Sequence, residues 1–114
     1  MKKIFIVMLF ITCNLIKAQE KPAVITTTIT VHGNCGECKE RIENAADIKG
    51  VKNSKWDSKT QVLTVSYKPE KVALDQIKQA ILQCGHDVGE EKAPDVVYNK
   101  LPKCCKFRDG KCAK

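Results

Sequence analysis

Two hydrophobic periods alternate between residues 25 and 92, and their order restricts the fold more than any other feature of the chain. Ile25, Thr27, Ile29 and Val31 recur at every second position among threonines. That is the period of a strand with one buried face, built from β-branched side chains. His32-Gly33-Asn34 is a turn. From Cys35 to about Ile48, Cys38, Ile42, Ala45 and Ala46 share one face of a helix, which Lys49-Gly50 ends. Val51 to Trp56 reads as a second strand and Asp57-Ser58-Lys59-Thr60 as a turn. Gln61 to Tyr67 is the clearest strand, with Leu63, Val65 and Tyr67 on one side and Thr64 and Ser66 on the other. Lys68-Pro69-Glu70 breaks it. Val72 to Cys84 returns to the 3.6 period through Leu74, Ile77, Ala80, Ile81 and Cys84, and Gly85 stops it. A short strand is expected near Val88.

The order β-α-β-β-α-β predicts an α+β, ferredoxin-like sandwich, with a four-stranded antiparallel sheet carrying two helices on one face. Such a unit needs roughly 65 to 70 residues, and residues 24–92 supply them. The remaining segment, 93–114, has no period; it carries Pro94, Pro102, Gly110 and three cysteines.

The N-terminal segment, 1–19, reads as a signal peptide. Met1-Lys2-Lys3 is positive, Ile4 to Cys13 is apolar except for Thr12, and the chain then turns polar toward Ala18-Gln19. The apolar run is about ten residues, where a membrane span needs about 20. A buried N-terminal helix is the alternative. The expectation is an exported, periplasmic protein with no stable membrane anchor after cleavage.

The formal net charge of +7 invites a nucleic-acid reading until it is located along the chain. Residues 20–99 hold 11 bases and 12 acids, whereas residues 100–114 hold six bases and one acid. The domain is close to neutral, so no nucleic-acid partner is expected. The basic charge is concentrated in the cysteine-bearing tail.

The sharpest chemistry lies in Cys35-Gly36-Glu37-Cys38, after a strand and at the start of a helix. Two intervening residues at a helix start let both sulfurs reach one point. The unpaired N–H groups and partial positive charge of a helix N-terminus favour thiolate over thiol. Two thiolates without a hard ligand suit a soft ion: linear coordination fits Cu(I) or Hg(II), whereas structural Zn(II) wants four ligands. A local disulfide and a thioredoxin-like redox pair compete with this reading. The redox pair usually has an aromatic before the first cysteine and a proline between the two, where this chain has Asn34 and Gly36-Glu37.

Residues 25–91 resemble the heavy-metal-associated domain, a family of copper chaperones, N-terminal modules of metal-pumping ATPases and the periplasmic mercury-binding protein. The resemblance runs through Val31 to Cys35-Gly36-Glu37-Cys38, Arg41-Ile42-Glu43 and Gly50-Val51. It continues through Val65-Ser66-Tyr67-Lys68-Pro69-Glu70-Lys71-Val72, Ile77-Lys78-Gln79-Ala80-Ile81 and Gly85-His86-Asp87. It implies the same fold and a metal held by Cys35 and Cys38. The family usually has a methionine packed under the loop two residues before the first cysteine. Gly33 stands there, followed by Asn34, which predicts a looser loop.

Other residues are open to two readings. His86, in a loop that lies beside the metal site in the family, is a third ligand or a solvated histidine. His32 reads as a strand-end surface residue. Cys84, in register with Ile77 and Ile81, reads as core filler. Trp56 and Tyr67 face inward, and Lys39, Glu40, Arg41 and Glu43 form a solvated helix face. For Cys104, Cys105 and Cys112 three readings stand: disulfide staples to the domain, extra thiolates for the metal, or a separate metal-capturing tail. Six cysteines after signal removal allow 15 pairings.

The sequence therefore predicts an exported soft-metal-binding protein, chaperone or scavenger, and not an enzyme. It would hold copper(I) through Cys35 and Cys38, with mercury(II) the nearest alternative. Zinc(II) follows if Cys104 and Cys105 join the pair. The expected partner is a metal-transporting membrane protein or another metallochaperone, reached by thiolate exchange. A thiol-disulfide oxidoreductase and a disulfide-stapled interaction domain are the rivals.

Overall fold

The computed structural model describes residues 22–109. Residues 1–19, expected to be a signal peptide, and Cys112 lie outside the described residues. The elements run β1 (Ile25–Thr30), α1 (Gly36–Ala46), β2 (Val51–Asp57), β3 (Val62–Tyr67) and α2 (Leu74–Gln83). A short α3 (Asp95–Tyr98) and two single 3-10 turns, Lys103–Cys105 and Phe107–Asp109, follow.

The sheet is antiparallel with β3 in the middle, in the order β1-β3-β2. Ile29 faces Leu63 and Thr27 faces Val65 across β1 and β3, while Trp56 faces Leu63 across β2 and β3. The alternation read from the sequence decides which side is buried. Leu63, Val65 and Tyr67 are buried and Thr64 is exposed. On the solvated face Thr26 and Ser66 join hydroxyls at 2.7 Å. One wet face and one packed face is ordinary for an antiparallel sheet backed by helices.

α1 packs on β2 and on α2. Ile42, Ala46, Ile77 and Ile81 are fully buried with Leu63, Val65 and Trp56 in one core. Burial of each large aliphatic side chain stabilises the fold by about 1.5–3 kcal/mol.

The expected fourth strand does not form. Val88 makes only isolated antiparallel bridges, to Val31 and to Glu91. Gly85 (φ 102) and Gly89 (φ 55) take left-handed conformations on either side of it, so the extended stretch is too short to propagate a ladder. Val88 and Glu91 instead exchange both backbone hydrogen bonds at 2.9 Å and close a tight turn. The backbone bonds His32 N–H to Asp87 O (2.9 Å) and Gly89 N–H to Thr30 O (2.8 Å) keep this segment against the end of β1. The sheet is three-stranded with a vestigial edge.

Residues 93–109 pack against the domain although they have no hydrophobic period. Ala93, Tyr98, Leu101 and Cys105 are buried and belong to the same core as the helices and sheet. No helix among the described residues is long and apolar enough to cross a membrane.

Candidate metal centre

Cys35 sits at the N-cap of α1 in extended backbone, and its carbonyl accepts the first helical bond from Lys39 N–H at 3.0 Å. Cys38 lies in the first turn, fully buried, while Cys35 is half-buried. The pair thus has one sulfur near solvent and one inside the protein.

Beneath the loop lies Trp56. A Cβ built on Gly33 would come within 3.0 Å of the Trp56 ring and 3.1 Å of Cys38 Cβ. The indole N–H donates to Val31 O at 2.9 Å, and Gly33 N–H donates to the Gln61 side-chain oxygen at 2.9 Å. The loop is therefore backed and tethered, not loosened. Trp56 fills from β2 the space that an apolar residue at position 33 would take, and Gly33 is the residue small enough to accommodate it. Lys39 and Glu43, expected as a solvated face, also fasten α1 to β2. Lys39 Nζ donates to Glu43 (2.9 Å) and to Trp56 O (2.9 Å), and Glu43 accepts Trp56 N–H (2.8 Å).

The tail reaches the loop from 69 residues away. Cys104 O accepts from Cys35 Sγ at 3.7 Å and from Asn34 Nδ2 at 3.3 Å. Cys104 Sγ donates to the Glu37 carboxylate at 2.6 Å and stands 3.9 Å from Cys105 Sγ. Cys105 is fully buried, and Cys38 is among the groups that raise its thiol pKa. The ligand atoms of Glu37, Cys104 and Cys105 lie within 4.8 Å of one another. Cys38, Cys84, Cys104 and Cys105 carry free thiols. Burial, and then its contacts with Cys38 and Cys104, push the Cys105 thiol far above its ordinary range. The Glu37 carboxylate raises the Cys104 thiol by accepting a hydrogen bond from it. Both tail sulfurs therefore rest as thiols at neutral pH.

What holds the tail there is a second cluster that the sequence reading missed. Arg108 donates to both carboxylate oxygens of Asp87 (3.2 and 2.8 Å), to Asp95 (3.1 Å) and to Ala93 O (2.9 Å). Its guanidinium stacks 4.0 Å above the Tyr98 ring. Burial alone would raise the Asp87 carboxyl, but hydrogen bonds from Arg108 and Ala93 N–H outweigh it and hold that carboxyl below the usual range. Next to it, Phe107 stacks on His86 with ring centroids 5.3 Å apart. The only signal in the sequence was composition: aromatic and basic residues interleaved with the tail cysteines.

His86 is not the solvated loop residue that was one expectation for it. It is fully buried, and its Nδ1 lies 2.8 Å from His32 O. A carbonyl only accepts, so Nδ1 carries the proton and Nε2 holds a lone pair; Nε2 has no hydrogen-bond partner. Burial lowers the pKa of the ring, partly offset by that hydrogen bond. The clustered ligand atoms among the described residues include Cys104 and Cys105 but not His86, Cys35 or Cys38. Its neighbour His32 is half-buried, with Nε2 3.1 Å from Gly89 O. Cys84 is half-buried beside Glu37, Glu40 and Arg41 in an open cleft, rather than in the core.

Comparison with known proteins turns this geometry into a classification. The sequence profile of the heavy-metal-associated domain matches residues 28–87. The chain belongs to the heavy-metal-associated domain family. Over 56 residues it is 38% identical to the copper chaperone CopZ of Staphylococcus aureus, covering 48% of this chain and 82% of that protein. A solved CopZ metallochaperone superposes with a TM-score of 0.55 at 34% identity, over 57% of this chain and all of that one. The N-terminal domain of the zinc(II) ATPase ZiaA superposes with a TM-score of 0.51 at 31% identity, over 58% of this chain and 64% of that one. The fold is thus the family's ferredoxin-like α+β arrangement, and the chain is a chaperone-like heavy-metal-associated domain. The matched segment ends at Asp87, so Arg108, Phe107 and the tail cysteines lie beyond it.

Proposed function

We propose that this heavy-metal-associated domain carries or scavenges a soft metal ion, copper(I) foremost, held by Cys35 and Cys38. The carrying observation is the placement of the pair: one sulfur at the N-cap of α1, where an ion can enter, and one buried in the first turn. The kinship with a copper chaperone supports copper over other ions. Release follows by thiolate exchange with cysteines of a metal-transporting membrane protein or another metallochaperone. The ion is cargo, and no catalytic role is assigned. Residues 1–19 direct export to the periplasm in this reading. Mercury(II) has the same linear two-sulfur chemistry.

The test is competition for Cu(I) against a chromogenic chelator with reduced protein. Cys35→Ser with Cys38→Ser abolishes stoichiometric binding if the assignment holds; unchanged binding sinks it. Disulfide reductase or isomerase turnover would instead favour the oxidoreductase reading.

A further inference from the structure

Two sulfurs lie beside the Cys35–Cys38 pair, those of Cys104 and Cys105, which cluster with the Glu37 carboxylate in a group that does not itself include Cys35 or Cys38, and nothing in the matched domain segment accounts for them. The tail between Leu101 and Phe107 is pinned at both ends. Leu101 is buried against Gly85, whose built Cβ would approach it to 3.0 Å. Phe107 and Arg108 lock onto His86 and Asp87. The 3-10 turn at Lys103–Cys105 splays the adjacent cysteines. Cys105 is turned into full burial, and Cys104 points to Glu37. The backbone between them is fastened to Asn34 and Cys35 through Cys104 O.

Burying a thiol as core filler does not require a second cysteine beside it, a third across from it and a carboxylate on the fourth side. A soft ion does require donors that converge and give up their protons. We infer that Cys105, with Cys104, ligates the same ion that Cys35 and Cys38 receive. The site is then one of at least three sulfurs, closed by the tail. The inference rests on the proposed function and adds to it: the cargo is retained, and it leaves only when the tail lets go. Each thiol that becomes a ligand releases one proton to solvent, and the metal–sulfur bond replaces the S–H bond with no change in oxidation state. Glu37, already accepting the Cys104 proton, is placed to take it first.

The experiment uses the reduced chain and Cu(I) alone, with two readouts: chelator competition, and the sulfur coordination number from X-ray absorption. The unaltered protein is expected to show about three sulfur neighbours. Cys104→Ala with Cys105→Ala is expected to show two, and to bind about 10-fold or more weakly, at least the loss that removal of an outer-shell partner causes. Because Cys105 is buried, Arg108→Ala serves as a second variant: it keeps every sulfur, undocks the tail, and should weaken binding in the same direction. Two sulfur neighbours in the unaltered protein, or a tail variant with unchanged coordination and affinity, overturns the inference and leaves the Cys35–Cys38 site standing. Loss of binding in Cys35→Ser/Cys38→Ser is common to both readings; persistence of binding there removes the pair and the closed site together.

Discussion

At the scale of single residues, Gly33 and Trp56 form one unit. The indole occupies the space under the loop, and a methyl group on Gly33 would press on it at 3.0 Å and on Cys38 Cβ at 3.1 Å. Gly33→Ala is therefore expected to destabilise the protein by about 1–3 kcal/mol through overpacking, read as a lower urea midpoint with an unchanged slope. Trp56→Phe, which leaves Val31 O without its 2.9 Å donor, should cost about 1–3 kcal/mol for the unsatisfied carbonyl. The pair was only half legible in the sequence. The strand period placed Trp56 inward, but nothing local says that a ring 23 residues away fills the gap at Gly33. Cys35 and Cys38 were legible because their spacing and their position at a helix start are both local. Glu37, Asp87 and Arg108 were not, because a charged side chain looks the same in sequence whether it meets water or a partner.

At the scale of elements, periodicity located the two long helices, α1 and α2, and all three strands to within a few residues, since each buries one face against the rest. The fourth strand failed because residues 86–88 stand between two left-handed glycines. The tail was illegible for a related reason: its turns are too short to show a period, and every contact that orders them crosses a long stretch of chain. Leu101 joins this tail to α2 through Gly85. Leu101→Ala is expected to cost about 2–5 kcal/mol as a buried cavity mutation, measured as a drop in Tm. The same variant should speed alkylation of Cys105, which in the intact protein is fully buried. Slow alkylation in both proteins would contradict the view that the tail shields the site.

At the scale of the whole molecule, charge divides as the sequence suggested, into a near-neutral domain and a basic tail. The structure adds that part of the basic charge is spent internally, with Arg108 bound to Asp87 and Asp95. The Asp87 carboxyl is held below its ordinary range in the folded protein. Its contribution is therefore complete above the unfolded aspartate pKa of about 4 and is lost as pH falls through the lower folded value. Acidification below pH ~4 should loosen the tail before the core, seen as lower amide-exchange protection factors, relative to the intrinsic rate at each pH, at residues 95–109. Asp87→Asn should remove that acid-dependent step and weaken docking at neutral pH as well. An acid transition in the variant matching that of the unaltered protein would assign the loosening to other groups.

Under the proposed function, the docked tail also changes what a partner has to do. A cysteine on the same chain, tethered within reach of Cys38, is present at an effective concentration of about millimolar, far above that of any separate protein in dilute solution. A recipient presenting one thiolate competes poorly against it. One presenting several, on a surface that also displaces Phe107 and Arg108, competes well. In the proposed site, selectivity of handover would be written into the donor, as a local competitor that sets the minimum number of sulfurs a recipient must offer.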